Sequence, residues 1–362
     1  MALSKLSGDE QGIIFVQLCN VLDPRVAVDF SSASGGLRLL TQALLQQLRA
    51  DHEVAAALCL KVGMQSCKKL REAKIVLWHD KGLSVADLFL LGTLGSVLPA
   101  LEMLVLIEPA AGPGGLERLA EGLGAGALPA VTTLALCNVH VGDAGASALA
   151  AALGRGALPR LKVLFLANAA IGDAGLVALA PALQQMPALE NLELNINLFG
   201  DEGLAALVPP PPPAGAPSPS TGVLAKLKTL KLEHTQISET GCAALVVAID
   251  SGALPALEEF SLEGSLASDA AEEAVYEAVV RAAEEAAVVA EAAATALRAA
   301  ATALRAAAVA AAEAVEAAAA AVLEEGSDAA KYYDSDGAEM GQCMQCGMWS
   351  STEFIFCDNC GC

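Results

Sequence analysis

Basic residues are scarce in this 362-residue sequence: 21 Lys and Arg stand against 42 Asp and Glu, a formal net charge of −21 at pH 7. A surface of that sign repels phosphate backbones, so nucleic acid is not expected as a partner. Aromatics are equally sparse at 4%, although 55% of residues are hydrophobic, which leaves Ala, Leu and Val to build a core. Long apolar runs are missing as well. In the Ala-rich stretch after residue 270, no uncharged run exceeds seven residues before Glu or Arg intervenes. A spanning helix takes about 20 apolar residues, so no membrane span is expected. The opening MALSKLSGDEQGIIFVQL places acids where a signal peptide has none. The four histidines, His52, His79, His140 and His234, fall in unrelated places, with no nucleophile–base or carboxylate pair recurring beside them. The expectation is a soluble, non-catalytic chain of the cytoplasm or nucleus, long enough for two or three domains.

The ten cysteines divide unevenly. Cys19, Cys59, Cys67, Cys137 and Cys242 are scattered singly in apolar contexts, as small core residues are. Cys343, Cys346, Cys357, Cys360 and Cys362 crowd the C-terminal end.

One unit recurs six times. LPALEMLVL begins at Leu98, LPAVTTLAL at Leu128, LPRLKVLFL at Leu158, MPALENLEL at Met186, LAKLKTLKL at Leu224 and LPALEEFSL at Leu254, in steps of 30, 30, 28, 38 and 30. A worn unit precedes them at LREAKIVLW, where Ile75 and Leu77 are expected to take the inward positions of Leu104 and Leu106. A period near 30 means a solenoid, each unit burying its apolar face against its neighbours. Within a unit, Leu161, Leu164 and Leu166 read as a short strand. Ile171-Gly172-Asp173-Ala174-Gly175 reads as a turn, its glycines giving tightness and Asp173 a helix cap; Asp143 and Asp201 fill the same slot in neighbouring units. Leu176, Leu179, Ala180 and Leu183 then recur at helical spacing.

Strand, turn and helix at this period resemble the leucine-rich repeat of the ribonuclease-inhibitor type, over roughly residues 70 to 280. The resemblance implies an α/β horseshoe with parallel strands inside and helices outside. That family usually places Asn or Cys after the last strand leucine. Val139, Ala169, Asn197 and Thr235 stand there, so the ladder of bonds between turns is expected to be weak. The proline-rich insertion 208–222, VPPPPPAGAPSPSTG, accounts for the long step and is expected to replace part of one helix. Gly122, Gly124 and Gly126 imitate a phosphate loop, but Gly154 and Gly156 fill the equivalent place one unit later, as helix stops do. Strand positions facing the concave side run from Thr133-Ala135-Cys137 and Val163-Phe165-Ala167 through Asn191-Glu193-Asn195 and Thr229-Lys231-Glu233 to Glu259-Ser261-Glu263. That gradient from apolar to acidic fits a protein partner with an apolar patch beside a basic one.

Residues 1–69 do not repeat and read as a helical cap, which a solenoid end needs. Leu6, Ile14, Phe15 and Leu18, then LDPR and Arg38, resemble an F-box. The resemblance implies that Leu6, Ile14, Phe15, Leu18 and Pro24 face a Skp-type adaptor, as in a substrate receptor of a ubiquitin ligase. Ser7, Glu10 and Gln11 depart from the family pattern. The repeats also resemble those of Ran GTPase-activating proteins, which implies regulation of a small GTPase. The early-loop arginine of that family has no counterpart that can be placed here.

The repeats are taken as residues 70–268. Residues 269–325 are mostly Ala with Glu and Arg, free of Gly and Pro, and should be helical. ATALRAA occurs twice, setting Leu297 and Leu304 one heptad apart. Two heptads fall short of a coiled coil, so a spacer arm is expected, with a dimerisation helix as the alternative. Residues 326–341 read as a linker. In 342–362, Cys343-Met-Gln-Cys346 and Cys357-Asp-Asn-Cys360 are two CxxC pairs ten residues apart, each a knuckle offering two thiolates to one tetrahedral Zn²⁺. The spacing resembles zinc ribbons, half a MYND finger, and the Ran-binding finger, some of which read ubiquitin; Gly341 and Ser350 stand where that last family has Trp and Asn. With Trp349, Phe354, Ile355 and Phe356 in its loop, the finger reads as a knob for ubiquitin or another protein.

Overall fold

A computed structural model describes residues 6–108, 112, 114–209, 224–326, 332–333, 339–342 and 349–351. Four helices come first: α1 (Gly8–Leu18), α2 (Arg25–Ser32), α3 (Gly35–Lys61) and α4 (Cys67–Glu72). Strands and helices then alternate: β1 (Ile75–His79), α5 (Val85–Leu94), β2 (Met103–Ile107), α6 (Gly115–Gly122), β3 (Thr133–Leu136), α7 (Gly142–Gly154), β4 (Val163–Phe165) and α8 (Asp173–Gln184). The alternation continues through β5 (Asn191–Glu193), α9 (Asp201–Leu207), β6 (Thr229–Lys231), α10 (Glu239–Asp250), β7 (Glu259–Ser261) and α11 (Asp269–Gly326). Three short strands follow, β8 (Tyr332–Tyr333), β9 (Glu339–Gln342) and β10 (Trp349–Ser351). By its contacts the chain falls into residues 1–288 and 289–362.

The first seven strands form one parallel sheet in sequence order. Helices α5 to α10 pack each against the next as a single second layer. The α/β class and the repeat register are therefore as expected. Leu134, Leu136, Leu164, Leu166, Leu192, Leu194, Leu230 and Leu232 are all buried between sheet and helices.

The worn first unit is shifted by one residue from its expected register. Ile75 pairs with Met103 and Leu77 with Val105, so Val76 and Trp78 are the buried pair, while Ile75 and Leu77 are 55% and 63% exposed. Side chains alternate across a strand, so a one-residue slip exchanges every inward residue for an outward one.

The GDxG turn also works differently from its expected local cap. Asp173 does not cap its own helix; its Oδ1 accepts from the amides of Gly200 at 2.9 Å and Gly203 at 2.7 Å, at the start of α9 in the next unit. Asp143 accepts from Gly172 at 2.7 Å, and Asp201 from the Ser238 amide and hydroxyl at 2.8 and 2.6 Å. Each carboxylate thus satisfies free amides at the N-terminus of the following helix, where the dipole favours negative charge. The second glycine of the motif is the seat for this clamp. A Cβ on Gly175 would lie 2.5 Å from Asp143 Oδ1, and one on Gly203 would lie 2.9 Å from Asp173 Oδ1.

Of the ladder residues, Asn197 alone bonds across units. Its Nδ2 donates to the carbonyls of Leu166 and Leu194, and its Oδ1 accepts from Ile171 N–H at 3.0 Å. Thr235 donates only to Leu232 of its own turn, and Val139 and Ala169 are buried apolar contacts. The aspartate clamps carry the polar continuity that the weak ladder leaves out.

Helix α9 has 7 residues against 12 in α8 and α10, and it stops directly before the proline run. Proline cannot donate to a helix and disfavours helical geometry in the residue before it. Residues 210–222 of the expected insertion 208–222 lie outside the described residues. Gln184 Nε2 covers the end of α9 by donating to the carbonyls of Ala206 and Leu207.

Helix α3 belongs to two cores. Leu48, in its first half, packs with Phe15 and Ala27 in a small separate cluster. Ala55, Leu58 and Cys59, further along, join the core of the repeats. At the other end Val275, Ala278 and Val279 of α11 join the same core, with Tyr276 edge-on to Phe260 at 5.8 Å. Against expectation, α11 is long and apolar enough over 269–318 to cross a membrane by length and composition. Alanine supplies that apolarity between charges too closely spaced for any long uncharged run.

Candidate recognition surface

The sheet face turned away from the helices is built from every second strand residue. Its rows follow the parallel register: Ile75, Met103, Thr133, Val163, Asn191, Thr229 and Glu259 lie side by side across seven strands. The next row runs Leu77, Val105, Ala135, Phe165, Glu193, Lys231 and Ser261. The expected gradient is present and starts two strands earlier, because Ile75, Leu77, Met103, Val105 and Ile107 widen the apolar half. Reading outward positions from the aligned inward leucines Leu104 and Leu106 would have found them.

At the polar end Lys231 bridges two strands, with Nζ 3.4 Å from Glu193 and 3.4 Å from Glu259. The field of Glu193 above all raises its pKa. Ser261 donates to Glu233 at 2.7 Å, and the Glu233 amide donates to Asn195 Oδ1 at 3.0 Å. The Ser261 hydroxyl holds the Glu233 carboxylate without neutralising it, and Glu233 and Glu263 make no ion pair among the described residues.

Beside the acidic half, Ile196 and Leu198 are 50% and 55% exposed. Ile196 has φ +56, the left-handed region that its counterparts Asn168, His234 and Gly264 share. A β-branched side chain is poorly suited to that region, so an exposed isoleucine is held there at a cost in strain. Sequence periodicity carried no signal for it, because it lies past the strand.

The histidines do not converge. His79, His140 and His234 are exposed, and His52 Nδ1 lies 2.6 Å from the Val21 carbonyl. Glu108, a buried carboxylate, accepts from the amides of Lys81 and Gly82 and so fixes the turn after β1. Burial raises the Cys137 pKa. Among the described residues no three His, Cys, Asp or Glu side chains are grouped to hold a metal ion. Cys343, Cys346, Cys357 and Cys360 lie outside the described residues.

Of the positions that the F-box resemblance assigns to an adaptor, Phe15 is fully buried, 6.2 Å from the Phe30 ring. Leu6, Ile14, Leu18 and Pro24 are half-buried. The apolar residues that α1 exposes are Ile13 and Val16, at 60% and 56%. With Leu40 and Leu44 of α3 they line an open groove of about 660 Å³. No protein-family model matches the chain, and no curated protein is significantly similar to it.

Proposed function

We propose that this chain is a non-catalytic protein-recognition scaffold of the leucine-rich-repeat type, whose concave sheet face binds a protein with an apolar patch beside a basic one. The observation that supports this reading most is the continuous pair of rows, apolar but for Thr133 from β1 to β4 and polar from β5 to β7, where Glu193, Lys231 and Glu259 carry charge and Glu233 and Glu263 follow just past the strands. Interface cores want exposed apolar side chains on a rigid frame, and charge at the rim sets orientation and rate. Capture of partners on the immobilised full chain, compared with Leu77→Asp and Glu233→Lys/Glu263→Lys variants, tests it. Partners lost on both variants support the concave face. A partner set unchanged by both would end the proposal.

The second reading keeps an adaptor at the N-terminus. Its support is the apolar groove of Ile13, Val16, Leu40 and Leu44, which sits on a helical unit with its own small core. Co-purification of a Skp-type adaptor that is lost on Ile13→Asp would favour it; accelerated hydrolysis by a small GTPase would favour the Ran-type alternative instead.

At the C-terminal end, Cys343, Cys346, Cys357 and Cys360 are proposed to hold one structural Zn²⁺, and the finger to present a surface to ubiquitin or another protein. Four thiolates in two knuckles fit tetrahedral zinc. Residues 343–348, which carry the first pair, link the antiparallel strands β9 and β10, where Gln342 pairs with Trp349. Metal analysis under reducing conditions should find zinc, and less of it in Cys357→Ser; none in the parent chain would refute the site.

A further inference from the structure

Helix α11 runs for 58 residues, about 87 Å at the usual rise. From residue 283 to residue 318 its side chains are exposed apart from half-buried Ala294, with Leu297 at 71% and Leu304 at 73%. A helix this apolar needs a reason to stay in water. Although Val288, Val289 and Val309 lie off it, one apolar stripe at alternating three–four spacing runs through Ala283, Ala287, Ala290, Ala294, Leu297, Ala301, Leu304 and Ala308 and takes in both leucines of the exposed stretch. That is the a/d seam of a coiled coil continued well past the two leucines.

The flanking charges are ordered. The residue after each d position, position e, is Glu284, Glu291, Arg298 and Arg305 in successive heptads, so the stripe is acidic in its first half and basic in its second. The g positions are Ala286, Ala293, Ala300 and Ala307. Among the described residues these four charged side chains make no ion pair. The two charge halves are two turns apart on one helix and cannot meet within a single copy.

We infer that α11 pairs antiparallel with α11 of a second copy of this chain. In antiparallel pairs e faces e, and a two-fold axis between Ala294 and Leu297 sets Glu291 against Arg298 and Glu284 against Arg305 of the second copy. Symmetry doubles this to four oppositely charged pairs. The same register sets Leu297 on Ala294 and Leu304 on Ala287, a large residue facing a small one, which lets the backbones approach closely. A parallel pair would set e against the uncharged g positions, and would stack leucine on leucine between alanine-only layers. A membrane is the poorer solvent for this face, because Arg298 and Arg305 would lie among the apolar residues, and each charge at mid-bilayer is costly.

Analytical ultracentrifugation of the full chain tests the inference, with two charge-uniform variants, Glu284→Arg/Glu291→Arg and Arg298→Glu/Arg305→Glu. The parent should be a dimer. Each variant alone should dissociate with a Kd at least tenfold higher, far-UV circular dichroism staying helical, and an equimolar mixture should regain the parent affinity as a heterodimer. A monomeric parent at all concentrations overturns the proposal. So does a dimer whose affinity the variants leave unchanged, or a mixture that stays monomeric. Flotation of the chain with neutral phosphatidylcholine vesicles, together with a monomer in detergent, would assign the face to membrane instead.

Discussion

Replacing Gly241 by alanine should destabilise the protein, although the same change in an ordinary helix stabilises by about 0.4–1 kcal/mol. Gly241 is buried in α10, and a Cβ there would overlap Asp201 Oδ1 while lying 3.0 Å from its Cγ and 2.9 Å from Ile237 Cγ2. All three atoms belong to side chains, so the clash is relieved by moving the Asp201 carboxylate. That movement gives up its bonds from the Ser238 amide at 2.8 Å and hydroxyl at 2.6 Å. Hydrogen bonds to a charged group are worth about 1.5–3 kcal/mol each. Asp201 is half-buried, so water recovers part of the loss, and about 2–4 kcal/mol is expected for the two together. Subtracting the gain in helix propensity leaves a net cost of about 1–3 kcal/mol. Urea titration followed by far-UV circular dichroism reads the midpoint. Because a repeat array can unfold in parts, amide exchange across α10 should accompany it. In an Asp201→Ala background, the cost of Gly241→Ala should shrink by more than 1 kcal/mol. A stabilised Gly241→Ala, or an undiminished cost in that background, would refute the clamp as the reason for the glycine.

Leu166→Ala, at a fully buried strand position, should cost about 2–5 kcal/mol from lost transfer energy and the cavity left behind, read from the same urea titration; a change below 1 kcal/mol would contradict the packing. Arg25, with help from Arg71, pulls the Asp23 carboxyl down to about 2. Its folded value lies below the ordinary one, so its contribution is complete above pH 4 and fades as pH falls towards 2. Asp23→Asn should flatten that part of a stability–pH curve, and an identical curve would exclude the pairing. Burial, reinforced by Cys67 with its sulfur 3.8 Å away, pushes the Cys59 thiol up to about 12. Cys59 should therefore resist alkylation at pH 8 in the folded protein, as mass spectrometry would show; labelling as fast as in urea would contradict its burial.

The strand and helix repeat was legible in the sequence because it rests on local periodicity. Leucines two apart specify a strand buried on one face, apolar residues three and four apart specify a helix, and the 30-residue period fixes how units stack. The eight strand leucines from Leu134 to Leu232 were placed correctly for that reason. Where the pattern wore thin at LREAKIVLW, a one-residue slip put Ile75 and Leu77 on the wrong face, since the adjacent apolar residues of IVLW support either register until the neighbouring strand chooses. Two things were decided only by tertiary structure. Asp173 looked like a cap for its own helix, but its hydrogen bonds run to the next unit, and no local pattern says which helix start a carboxylate will reach. Phe15 looked like part of an adaptor-facing surface, but α2 and α3 fold over it. An apolar residue on a short helix carries the same signal whether its partner is another protein or its own chain. The face it ends on depends on which helices are brought alongside, a choice made by packing across distances that periodicity does not span.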